Sequence, residues 1–147
     1  NIELTATGVR VRSGALRGME IDMNAIPDAL PALAVTACFA SGETRLVNVA
    51  QARLKETDRI AVMAAELAKL GAEIVERPDG LIIRPRKLTP CQTLCGHGDH
   101  RVVMSLSLAA MALEGESVID TAEAMAITFP NFVELMNSLG GNMVVTK

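Results

Sequence analysis

Residues 53–85 read RLKETDRIAVMAAELAKLGAEIVERPDGLIIRP, an amphipathic helix running straight into a β-hairpin. The helical reading covers Arg53 to Ala72. The hairpin covers 72–85 and turns at Pro78-Asp79-Gly80. The charge on the helix is unusual, because Lys55 and Arg59 fall in its first turn. Unpaired amides there already present roughly half a positive charge, so an added cation is unfavourable. Glu56 and Asp58 offset part of this. Lys55 and Arg59 make sense beside an anionic ligand, on which amides, dipole and side chains would converge. A solvated helix with i,i+4 charge pairing is the plainer alternative.

The whole chain has 147 residues, 50% of them hydrophobic, with a formal net charge of −3. That length suits one domain, which buries roughly 70% of the surface its unfolded chain exposes. With no basic run and only 2% aromatic residues, the surface does not suit nucleic acid, so any anion site is local. No apolar run approaches the roughly 20 residues needed to span a bilayer, and no charged-then-apolar leader opens the chain. The protein therefore reads as soluble and cytoplasmic, with no membrane partner. Cys38, Cys91 and Cys95 make an odd set without secretory features, which argues against a disulfide framework. The sequence starts at Asn1, in the strand-like NIELTATGVRV, so it is expected to be a fragment of something longer.

Short β-type runs alternate with helical ones. GMEID is followed by a helix from Asp28 to Ala40, the strand TRLVNVA, the helix after Lys55 and the hairpin. The second half repeats the order, with a strand at Gln92–Leu94, a helix Asp99–Leu113, the strand SVIDTA, a helix Pro130–Leu139 and NMVVT. SGETRLVNV echoes EGESVIDTA, and KLGAEIV echoes SLGGNMV, with Gly42 to Gly115 spaced by 73 and Gly71 to Gly140 by 69. The expected fold is α/β (α+β), built of repeated β-α-β-α-β-β units over about 17–85 and 90–147, the second without its last strand. No G-x-G-x-x-G or G-x-x-x-x-G-K-[ST] occurs to support a doubly wound nucleotide-binding sheet.

Charged residues gather where the four helices start: Asp28 before the first, Lys55, Glu56 and Arg59 at the second, Asp99, His100 and Arg101 at the third, with Thr128 before the fourth. Asp28, Asp99 and Thr128 are also good N-caps, and Pro130 suits a first helical position. Capping does not account for Arg59 or Arg101. CQTLCGHGDH places Cys91, Cys95, His97 and His100 within ten residues. The histidines are too close for usual zinc knuckles, however, and His100 should open a helix, so no metal is expected. Ser105 and Ser107 lie inside that helix with no strained elbow to make either a nucleophile, while Met104 and Met111 read as core. Together, Lys55, Arg59 and Arg101 offer anion ligands, with Asp28 and Glu56 as neighbouring carboxylates. This set suits a phosphorylated substrate and proton movement between carbon and oxygen.

IDMNAIPDALPALAV, NVAQARLKETDRI, GDHRVVMSLSLAAMALEG and TFPNFVELMNSLGG closely resemble the C-terminal part of the 5-enolpyruvylshikimate-3-phosphate (EPSP) synthase family, from about Gly18 to the end. The resemblance implies two similar domains of three β-α-β-α-β-β units each, with an active site in the cleft between them. It also implies transfer of enolpyruvyl from phosphoenolpyruvate to the 5-hydroxyl of shikimate 3-phosphate, without metal or organic cofactor. By motif position, Asp28 is similar to the carboxylate that bonds the reacting hydroxyl, and Glu56 to the group that exchanges a proton with the methylene carbon. Lys55 resembles the lysine on the shikimate-phosphate side. Arg59 and Arg101 resemble the pair that grips phosphoenolpyruvate, and His100 the residue that orients Glu56.

Two positions depart from the pattern. Gln51 stands where many members have an asparagine touching the shikimate phosphate, and Ile127 where many have a phosphoenolpyruvate-contacting lysine. The resemblance further implies that the N-terminal domain, with its share of ligands, is missing, so the chain alone is expected to be inactive. The rival readings are an enolpyruvyl transferase acting on UDP-N-acetylglucosamine, which lacks K-E-T-D-R, and a non-catalytic module that binds a phosphorylated metabolite.

Overall fold

A computed structural model of the chain describes residues 2–146. In chain order these form β1 (Ile2–Thr5), β2 (Gly8–Val11), β3 (Glu20–Asp22), α1 (Leu30–Cys38), β4 (Thr44–Val47), α2 (Arg59–Lys69), β5 (Glu73–Arg77), β6 (Gly80–Arg84), α3 (His100–Met111) and α4 (Phe132–Ser138). Short 3-10 turns occupy Pro27–Ala29, Ala50–Leu54 and Ala122–Ile127.

The predicted hairpin is β5–β6, closed by the two residues Pro78 and Asp79 with Arg77 opposite Gly80. Glycine is required at its second shoulder, since a Cβ on Gly80 would lie 1.9 Å from the Leu46 carbonyl oxygen. Strand β6 continues into an antiparallel pairing with β4, and β4 into a parallel one with β3, giving the order β3-β4-β6-β5. The α1 and α2 helices pack on this sheet, so Leu46, Leu81 and Ile83 are fully covered. LPALAVTAC is apolar nearly all round, as a helix must be when sheet, α2 and α3 surround it.

The second half differs from the expected repeat. Its helices form, yet 92–94 and 117–122 contribute a single parallel bridge, Leu94 to Ile119, and 142–146 form no strand. In the first unit β5 pairs only with β6. In the second unit no described strand stands where β6 does in the first, so 142–146 lack a described partner. A cavity of about 560 Å³, lined by Val103, Met111, Ile119, Val133 and Val144 among others, lies beneath that segment. Strands β1 and β2 were missed as a pair. Ile2 faces Val11 and Thr5 faces Gly8, which is the register of Ile74 with Ile83 and Arg77 with Gly80 at a constant offset of 72. The opening hairpin is thus a further copy of the unit's last hairpin.

Helix boundaries also shift. The second helix begins at Arg59, capped by the Asp58 carboxylate accepting from the Ala61 amide at 3.0 Å, so Lys55 and Glu56 precede it in irregular backbone. Asp28 sits in the 3-10 turn before α1 and caps no amide. Thr128 closes a 3-10 turn, and Asn131 stands at the start of α4 instead. Asp99 does cap α3, accepting from the Arg101 and Val102 amides. Met104 packs in a second small core with Phe132 and Met125, whereas Met111 is 39% exposed. All three cysteines are free thiols. No described helix is long and apolar enough to cross a membrane.

Candidate active site

Three chain segments bring the charged residues together. The turn before α1 supplies Asp28, the loop into α2 and its first residue supply Lys55, Glu56 and Arg59, and the start of α3 supplies Asp99, His100 and Arg101. Arg59 is the centre, and it is 1% exposed. Its Nε donates to Asp99 Oδ2 at 2.7 Å, Nη1 to Asp28 Oδ1 at 3.0 Å, and Nη2 to Glu56 Oε2 at 2.6 Å and Asp99 Oδ1 at 3.2 Å. A guanidinium can be buried only when its fork is filled in this way. Asp99 is fully buried as well. Burial alone would raise its pKa, but the Arg59 guanidinium and the two cap amides hold the carboxyl below its ordinary value.

The sequence reading treated Arg59 and Arg101 as a pair; both reach Asp28, but their surroundings differ. Arg59 faces carboxylates, whereas Arg101 and Lys55 are about a third or more exposed and face outward beside Asp28. Lys55 Nζ lies 3.2 Å from Asp28 Oδ1 and Arg101 Nη2 lies 3.6 Å from Oδ2. The Lys55 hydrogen bond, aided by the charges of Lys55, Arg101 and Arg59 and opposed by partial burial, lowers the Asp28 pKa. A depression of about 320 Å³, lined by Ala25, Ile26, Pro27, Asp28, Ala29 and Arg101, opens at this point. His100 is buried with its Nδ1 3.9 Å from Glu56 Oε1, too far for a hydrogen bond, and that nitrogen has no partner among the described residues. Gln51 is turned to Asn24, donating to its backbone and side-chain oxygens at 3.2 and 3.3 Å.

Glu66, which the sequence reading did not single out, sets the approach to α3. This 3% exposed carboxylate accepts from the Cys95 amide at 2.8 Å and from Lys69, and pairs with His97 Nε2 at 3.2 Å. The next amides are held from elsewhere, Gly96 by Asp120 and Gly98 by Thr121. A Cβ on Gly96 would meet Val103 at 2.3 Å. The C-x₃-C-x-H spacing therefore serves a pinned loop, and no group of three or more His, Cys, Asp or Glu among the described residues could hold a metal ion. Glu66→Ala would leave the Cys95 amide without an acceptor, a loss of about 1–3 kcal/mol in unfolding free energy. Urea denaturation measures it, and an unchanged midpoint would remove Glu66 from the support of this loop.

A sequence model of EPSP synthase (3-phosphoshikimate 1-carboxyvinyltransferase) matches residues 1–136. The chain is 58% identical over 142 residues to the 3-phosphoshikimate 1-carboxyvinyltransferase of Ruminiclostridium cellulolyticum, covering 97% of this chain and 33% of that protein. It is 47% identical over 131 residues to that of Methanocaldococcus jannaschii, covering 89% and 30%. Among solved structures, EPSP synthase of Acinetobacter baumannii superposes with a TM-score of 0.87 at 30% identity, over 100% of this chain and 36% of that one. The enolpyruvyl transferase NikO of Streptomyces tendae shares the fold, with a TM-score of 0.78 at 22% identity over 97% and 33%. The chain thus spans about a third of the length of the curated relatives it matches. With its K-E-T-D-R loop and G-D-H-R helix start joined through Arg59 and Asp99, the chain belongs to the EPSP synthase family.

Proposed function

We propose that this chain is part of the C-terminal domain of an EPSP synthase and forms one wall of its cleft. There the enolpyruvyl group of phosphoenolpyruvate passes to the 5-hydroxyl of shikimate 3-phosphate, in the cytoplasm, with release of phosphate. The observation that carries this reading is the convergence of Asp28, Lys55, Glu56 and Arg101 around the buried Arg59–Asp99 pair. Lys55 and Arg101 are the outward cations and serve the two anionic substrates, Arg101 with a fork that holds carboxylate or phosphate through two bonds. Asp28 accepts the hydrogen bond of the reacting hydroxyl. Glu56 exchanges the proton of the methylene carbon, with its second oxygen on the His100 side. Arg59 positions Asp28 and Glu56 from behind and reaches substrate through them. Gln51, on the turn Ala50–Leu54, contributes an amide to the shikimate phosphate once released from Asn24. The second wall comes from the N-terminal domain.

Turnover of the full-length protein that carries this chain tests the reading. Phosphate release should depend on shikimate 3-phosphate, and release with UDP-N-acetylglucosamine instead would reassign the substrate. The 147-residue chain alone should show no turnover until the other domain is supplied. Fixing two polyanions in attack geometry is worth roughly 7–11 kcal/mol and needs ligands from both walls. Measurable turnover by the isolated chain would overturn the two-walled cleft.

A further inference from the structure

Asp28 stands where three cations meet, and they depend on it unequally. Arg59 is buried and keeps Asp99 and Glu56 as further partners. Lys55 is exposed and Arg101 half-buried, and among the described residues Asp28 is the only acid with which either forms an ion pair. Those two are the cations able to turn toward a ligand. We infer that Asp28 is an internal counter-ion, competing with the bound anion for Lys55 and Arg101. Before an anion binds, the site then carries its own carboxylate in the role that a phosphate or carboxylate group takes on binding.

The inference rests on the anion-site reading above and adds a coupling to it. An arriving anion draws Lys55 and Arg101 off Asp28, and with them go the bond and charges that disfavour its protonation. Asp28 consequently gains basicity when the anion is bound, and by linkage its charge opposes that binding beforehand. The groups facing Asp28 are Lys55 from the loop before α2, Arg59 from α2 and Arg101 from α3, with Glu56 and Asp99 behind Arg59 and His100 beside Glu56. A carboxylate that merely props the two cations in place would have the opposite sign, since its removal would then weaken binding.

Inorganic phosphate is the probe, titrated calorimetrically into the 147-residue chain and into the full-length protein. Asp28→Asn should bind phosphate about three- to tenfold tighter than the unsubstituted protein, the scale of partly exposed ion pairs. In a Lys55→Met background most of that gain should vanish, because one of the contested cations is gone. Equal or weaker binding by Asp28→Asn would overturn the inference and leave the anion site standing. Absence of phosphate binding in every variant would overturn both. If the shorter chain fails to fold with the substitution, the full-length titration decides.

Discussion

Arg59→Met is expected to lower the unfolding free energy by about 3–5 kcal/mol, the usual result of removing one member of a buried ion pair. Methionine fills much of the volume, so the loss comes from Asp99, which is fully buried and would keep only the Thr57 hydroxyl and the cap amides of Arg101 and Val102. Against a total of roughly 5–15 kcal/mol for a domain, this is a large fraction. Chemical denaturation at neutral pH measures it. The pH dependence gives a second signature. The folded-state pKa of Asp99 is depressed, so its contribution is present above the unfolded carboxylate value and is lost as pH falls through the folded one. The variant lacks the pull of Arg59 but keeps the burial, so Asp99 takes up its proton at higher pH. The difference between the two proteins should therefore shrink on acidification, and a difference constant down to the acid limb would detach Asp99 from the effect.

Glu56→Gln should reduce turnover of the full-length protein by about 10²- to 10⁴-fold, the range for loss of a general acid–base group. Glutamine retains an acceptor for Arg59 Nη2, now 2.6 Å from Glu56 Oε2, so the loop into α2 stays anchored. What disappears is the group that can carry a proton. The Michaelis constants should change far less than the rate, and a loss confined to them would make Glu56 a binding residue.

Local chemistry made much of the fold legible. The β-type runs on either side of Pro78-Asp79-Gly80 placed the β5–β6 hairpin, and Asp99 before His100 placed the cap of α3. The start of α2 was misplaced because Lys55, Glu56 and Thr57 suit a helix as well as a loop; Asp58 capping the Ala61 amide decides the matter. NMVVT carries the β-branched residues a strand favours, but pairing is non-local and no described strand pairs with it. The β1–β2 hairpin was in principle readable from Gly8 and Gly80 at the offset of 72. In the candidate site, the sequence put the charged residues near the helix starts but did not tell the buried cation from the outward ones. Lys55 and Arg59 look alike in a helical turn, and only Asp99, from 40 positions away, makes Arg59 a buried anchor and leaves Lys55 outside. Glu66 looked like an ordinary helix-surface acid, since nothing local announces the Cys95 amide as its partner.

Arg59 gathers its acids from sequence separations of 3, 31 and 40. The two long loops must close before the charges can meet, and loop closure costs entropy that no single contact returns. A cluster built on such separations is expected to assemble after the main barrier to folding and to add little to its speed. Its stabilisation falls on the way out, as a clasp that must open before the segments part. If the loss of about 3–5 kcal/mol expected for Arg59→Met falls wholly on the unfolding side, the variant unfolds roughly 10²- to 5 × 10³-fold faster. The acids that set the chemistry of the site are thus also a timer on its persistence.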